Sequence, residues 1–214
     1  MKLLFLALAA ILLLVIWRRW QQRHRQEAIE AFPYAAFLDL RLAKRRPELS
    51  EAQRAEVLVG LQDYFHICRT AGRRMVSMPS QAVDDAWHEF ILFTRHYQKF
   101  CRLAFGRFLH HTPAEAMRSP TDASDGIKRA WRLACAREGI DPQKPDRLPR
   151  LFAIDARIGL VGGFVYSLNC MAESGGAGSG SFCASHIGCS SGCSGDSGTS
   201  DSDGGSCGGG CGGD

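Results

Sequence analysis

Leu3 to Trp17 is an unbroken run of 15 apolar residues. It is followed at once by Arg18, Arg19 and Trp20. Apolar positions then fall into helical spacing. Phe37, Leu38 and Leu42 share one face of a segment that follows Pro33, and Val57, Leu58, Leu61, Phe65 and Cys68 share another. Ser50-Glu51-Ala52-Gln53 has the form of a capping box opening this second helix, and Gly72 is a natural stop. Pro79-Ser80 opens a third helix, predicted to run unbroken to Gly106 with Val83, Trp87, Phe90, Ile91, Thr94, Cys101 and Phe105 on one face. A fourth stretch begins near Pro113. A fifth, from Ser124, carries Ile127, Ala130, Trp131, Ala134 and Cys135 before Gly139. Ile140 to Pro149 reads as a loop, and Leu151 to Met171, interrupted by Gly159, Gly162 and Gly163, as an apolar segment closing against the core.

No two-residue hairpin signal or sustained alternation occurs between Gln26 and Arg157. The fold expected is all-α: a compact bundle of four to six helices, with an N-terminal transmembrane helix and a disordered C-terminal tail. The divisions are 1–20 for the anchor, 21–157 for the helical domain, 158–173 for the closing segment and 174–214 for the tail.

Composition sharpens these boundaries. Ser174 to Asp214 holds 15 glycines, 11 serines and 5 cysteines, too little apolar area to offset chain entropy. Residues 1–157 carry all 26 Lys and Arg against 17 acids, whereas 158–214 have no basic residue and 5 acids. The basic residues are dispersed along helices rather than blocked, which argues against a nucleic-acid partner. The remaining chain is of single-domain size, which excludes a large barrel or a polytopic transporter.

The apolar run reads as an uncleaved signal-anchor, because Trp-Arg-Arg-Trp offers no small-residue cleavage site. One lysine precedes it and Arg18, Arg19, Arg23 and Arg25 follow, so the positive-inside rule puts the N-terminus outside and the body in the cytoplasm. On that side thiols stay reduced, and nine cysteines imply no disulfide framework. The lipid bilayer is therefore one expected partner, beside an unidentified protein partner.

Two clusters carry candidate chemistry. Asp84 and His88 are four apart on one helix and can share a divalent ion such as Zn²⁺ or Fe²⁺; His110 and His111 follow Gly106 and can return to the same edge. Asp85 leans the other way. The same residues also suit a plainer account, with acids near a helix start and ordinary half-buried histidines. The tail offers Cys183, His186, Cys189, Cys193, Cys207 and Cys211, with two C-x₃-C pairs that could wrap Zn²⁺ or Cu(I). Equally, it fits a plain tether, or a precursor in which Cys and Ser cyclise onto the backbone.

Met78-Pro79-Ser80, then Val83-Asp84-Asp85-Ala86-Trp87-His88, then Thr94, Tyr97 and Cys101, resembles a segment of glycine-rich domain-containing proteins. That resemblance, covering about residues 30–115, implies a helical domain, marks Asp84, Trp87 and His88 as positions to test, and implies no defined activity. Nothing like a P-loop, a nucleophile elbow or a dinucleotide fingerprint occurs. The expected role is a single-pass, membrane-anchored helical binding or scaffold protein. The alternatives are a metal-dependent enzyme built on the Asp/His cluster, and the precursor of a modified peptide.

Overall fold

The computed structural model describes residues 2–111, 120–168, 181–183 and 187. The apolar run and the basic residues after it form one continuous helix, α1 (Lys2–Glu30). It is long and apolar enough to cross a membrane. Its far end enters the protein core, where Ile29 is fully buried. The body consists of α2 (Tyr34–Arg45), α3 (Glu51–Ala71), α4 (Gln81–Leu92), α5 (Thr94–Phe105), α6 (Pro120–Glu138) and α7 (Arg150–Arg157). The all-α bundle is therefore as expected. Helix α3 lies at its centre and touches α1, α2, α4, α6 and α7.

The capping box at Ser50 forms as read, with Ser50 Oγ accepting from the Gln53 N–H and the Gln53 side chain accepting from the Ser50 N–H. The third helix differs from the expectation, for it breaks at Phe93 (φ −80°, ψ 56°) into α4 and α5. A straight helix of 25 residues would run about 37 Å and carry its second half off the core. The break turns α5 back against α1, so that Tyr97, Phe100, Cys101 and Ala104 face inward while Thr94 is exposed. Phe93 itself leans on Phe37, with ring centroids 5.8 Å apart.

Gly60 lets α3 approach α4 and α7 closely. A Cβ there would lie 2.9 Å from Val83 Cγ2 and 3.1 Å from Ile154 Cδ1. The α2–α4 contact adds an ionic cluster to the meeting of the Tyr34 and Phe90 rings. Asp85, 1% exposed, accepts from Arg45 Nε at 3.0 Å and Arg46 Nε at 2.6 Å, and Arg41 pairs with Glu89 one turn further along α4.

The closing segment is only partly helical. After α7 the chain turns through Gly159 and Gly162, both at positive φ, into a short strand, β1 (Val165–Ser167). It pairs in parallel with β2 (Ser181–Cys183), placing Tyr166 opposite Phe182. Residues 181–183 fall within the tail that its composition marks as disordered. Strand pairing is made by the backbone, which the glycine and serine content of the tail does not reveal. Ile187 packs against the core as well. The fourth stretch near Pro113, and residues 188–214, lie outside the described residues.

Candidate metal centre

The site is assembled from the start of α4 and the loop after α5. Helix α4 has a doubly fixed N-terminus. Ser80 Oγ accepts from the Val83 N–H at 3.1 Å and donates to Asp155 Oδ1 at 2.6 Å. The buried Asp155 carboxylate also accepts from the Gln81, Ala82 and Phe164 backbone N–H groups, at 2.7, 3.2 and 2.9 Å. A negative charge here suits the helix dipole and supplies acceptors for N–H groups that the helix leaves unpaired. Asp155 is thus a positioning residue that sequence reasoning missed, since nothing local ties it to a helix start 75 residues earlier.

The loop is held by a buried relay. Trp87 Nε1 donates to Tyr97 Oη at 3.0 Å, and Tyr97 Oη donates to the Leu109 carbonyl at 2.6 Å. The chain leaves α5 at Gly106, in the left-handed conformation (φ 69°, ψ 9°), and the relay then draws it back along α4. His111 ends beside Trp87, with ring centroids 4.5 Å apart, and beside His88, at 4.4 Å.

Asp84 sits between the two imidazoles. Its Oδ1 lies 2.8 Å from His111 Nε2 and its Oδ2 lies 3.4 Å from His88 Nδ1. One ligand atom from each of Asp84, His88 and His111 lies within 4.8 Å of the other two. Donors bound about 2.1 Å from one ion stand roughly 3.0–3.4 Å apart, for octahedral and tetrahedral angles respectively. The 2.8 and 3.4 Å separations run to different Asp84 oxygens, so the carboxylate faces both imidazoles, and side-chain adjustment of about an ångström would bring one oxygen and two ring nitrogens onto one ion. The side chains are 19%, 40% and 13% exposed for Asp84, His88 and His111, so one side of the centre faces solvent. Two imidazoles and one carboxylate suit Zn²⁺ or Fe²⁺ and leave coordination positions open.

His110 is not in this group. The exposed His110 ring lies instead against Phe108, tilted at 60° with centroids 4.8 Å apart. The four-residue set expected from the sequence reduces to three. Asp85, as expected, turns away to the α2 arginines. Trp87 is core, as its spacing suggested, and it also fixes Tyr97. Cys101 is buried next to Tyr97, and burial pushes its thiol pKa up. Cys68 and Cys135 are likewise pushed up, each to about 12, so these three free cysteines are unreactive thiols. Of the tail candidates, Cys183 lies in β2, whereas His186, Cys189, Cys193, Cys207 and Cys211 fall outside the described residues.

A family model described as UCP032817-like matches residues 24–187, most of the chain. The protein belongs to the UCP032817-like family. The UCP032817-like match begins within the polar half of α1 and takes in Asp84, Trp87, His88, Tyr97 and His111, together with Asp155. No curated protein matches the chain, and no solved structure does.

Proposed function

We propose that the protein is a single-pass, membrane-anchored helical protein that binds one divalent metal ion through Asp84, His88 and His111. The observation that carries this reading is the meeting of two histidines and one carboxylate, drawn from two elements, with ligand atoms within 4.8 Å of one another. Three ligands with open positions favour a metal that takes a further ligand, and hence the metal-dependent enzyme over an inert scaffold. A metal there would polarise a bound water or a substrate oxygen. The V-D-x-x-W-H likeness to glycine-rich domain-containing proteins supports the same site, because its tryptophan and following tyrosine form the relay that delivers His111. The arginines after the apolar run support a cytoplasmic body.

The test is the metal content of the full chain purified in detergent, beside three variants. One stoichiometric metal is expected in the wild type, in His110→Ala, and in a chain with Cys189, Cys193, Cys207 and Cys211 changed to serine. It is expected to disappear in His111→Ala. Metal that persists in His111→Ala but leaves with the tail cysteines would move the ligands to the tail and overturn the proposal. No uptake by the wild type under saturating Zn²⁺ or Co²⁺ would leave Asp84 as a hydrogen-bonding partner of two histidines and nothing more.

A further inference from the structure

A second polar cluster lies where α1, α3 and α6 meet, on elements that contribute nothing to the metal centre. His66, in the middle of α3, is 2% exposed, and neither of its ring nitrogens has a hydrogen-bond partner. Its nearest acceptor, Glu30 Oε1, is 3.9 Å from Nε2 and already accepts from Gln26 Nε2 at 2.9 Å. One turn along α3, Arg69 Nε is also buried without a partner. A buried polar atom left unpaired costs about 1–3 kcal/mol, so two in one place require an explanation.

The charges around these atoms are mostly positive. Arg137 of α6 is held on Asp63 Oδ1 at 2.9 Å, and the other Asp63 oxygen is taken by Arg150 at 2.7 Å. Arg25 of α1 also acts on the charge of Arg69. Four guanidiniums (Arg25, Arg69, Arg137 and Arg150) and an imidazole thus face two carboxylates, Glu30 and Asp63. Burial comes first and Arg137 and Arg69 second in pushing His66 down to about 4, so the imidazole is neutral at pH 7 and can donate from one nitrogen. Burial, followed by Arg137 and Arg25, also disfavours the charge on Arg69. An anion among these groups would relieve both effects.

We propose that Arg25, His66, Arg69 and Arg137 form a binding site for a phosphate group, beside the point where α1 leaves the membrane. A tetrahedral oxyanion offers acceptors in several directions, which suits guanidinium and imidazole donors arriving from three helices. Arg25 is five residues beyond Trp20 on a continuous helix, about 7.5 Å along the axis and at headgroup depth if the tryptophans mark the interface. The phosphate can belong to a lipid headgroup or be free in solution.

The experiment uses the full chain in a neutral detergent with a chelator present, which removes metal-bound phosphate as a source of signal. Inorganic phosphate and a short-chain phosphatidylglycerol are titrated separately, with short-chain phosphatidylcholine as the zwitterionic control. Binding is followed by calorimetry and by the His66 ring resonances. Saturable binding is expected, with the His66 pKa moving upward. Affinity should fall at least tenfold in Arg69→Gln and in the more exposed Arg137→Gln, and stay unchanged in Asp84→Asn. Binding of phosphatidylglycerol alone would identify the headgroup; equal binding of inorganic phosphate would identify the phosphate group itself. Absence of binding by both probes, or wild-type affinity in a folded Arg69→Gln or Arg137→Gln variant, would overturn the proposal. So would equal binding of phosphatidylcholine.

Discussion

Tyr97→Phe removes one oxygen and nothing else, yet that oxygen joins Trp87 to the carbonyl of Leu109. All three residues are buried, at 1% exposure for Tyr97, 3% for Trp87 and 8% for Leu109, so water cannot readily replace the lost partner. The indole N–H and the Leu109 carbonyl are each left unsatisfied, at about 1–3 kcal/mol apiece, giving a predicted loss of roughly 2–6 kcal/mol. Leu109 is two residues from His111, so releasing its carbonyl also loosens a ligand of the proposed metal. Loss of such a supporting hydrogen bond typically weakens metal binding by about 10–100-fold. Urea unfolding monitored by tryptophan fluorescence would give the first quantity, and competition for Co²⁺ against a chromophoric chelator the second. A Tyr97→Phe protein destabilised by the expected amount but with wild-type Co²⁺ affinity would refute the idea that the relay positions His111.

Asp85→Asn removes the buried counter-charge of Arg45 and Arg46, whose own side chains keep contact with water, and should cost about 1–3 kcal/mol in urea unfolding without altering metal stoichiometry. Gly60→Ala forces a methyl against Val83 and Ile154, and should lower stability by about 1–3 kcal/mol, read as a reduced urea midpoint at unchanged slope. His66 has a folded-state pKa of about 4, below the ordinary value of 6.5, so the unfolded chain takes up its proton first as pH falls. Its contribution is therefore flat above pH 6.5, and about 3 kcal/mol of stability is lost progressively between pH 6.5 and 4. His66→Gln should flatten that part of the stability–pH curve for the ligand-free protein.

Much of the bundle was legible because its helices announce themselves locally. The capping box at Ser50, the stop at Gly72 and the stripe from Val57 to Cys68 all act within a turn or two. The break at Phe93 was not, since neither proline nor glycine marks it and its cause is tertiary: a turn that brings Tyr97 and Phe100 into the core. Asp84 and His88 were found together because helical geometry fixes residues four apart. Choosing His111 over His110 requires the path of a loop, which depends on a hydroxyl ten residues from Trp87 and twelve from Leu109. The groups around His66 come from four helices, α1, α3, α6 and α7, and share no spacing. β2 was invisible for a different reason, because a tail rich in glycine and serine gives no pattern by which a pairing register can be read.

Helix α1 runs without interruption from Lys2 to Glu30, and its last turn is locked into the body by Ile29 and by the Tyr34 hydroxyl, which donates to the Ile29 carbonyl at 3.0 Å. No swivel separates the apolar half from the globular half. Set in a bilayer, such a rod of about 43 Å behaves as a lever arm rather than a leash. There the body would keep one height and one heading above the lipid, and a bilayer thin enough to tilt the rod would tilt the body with it. The torque would arrive at α3 and α5, the helices that hold the two polar clusters in place.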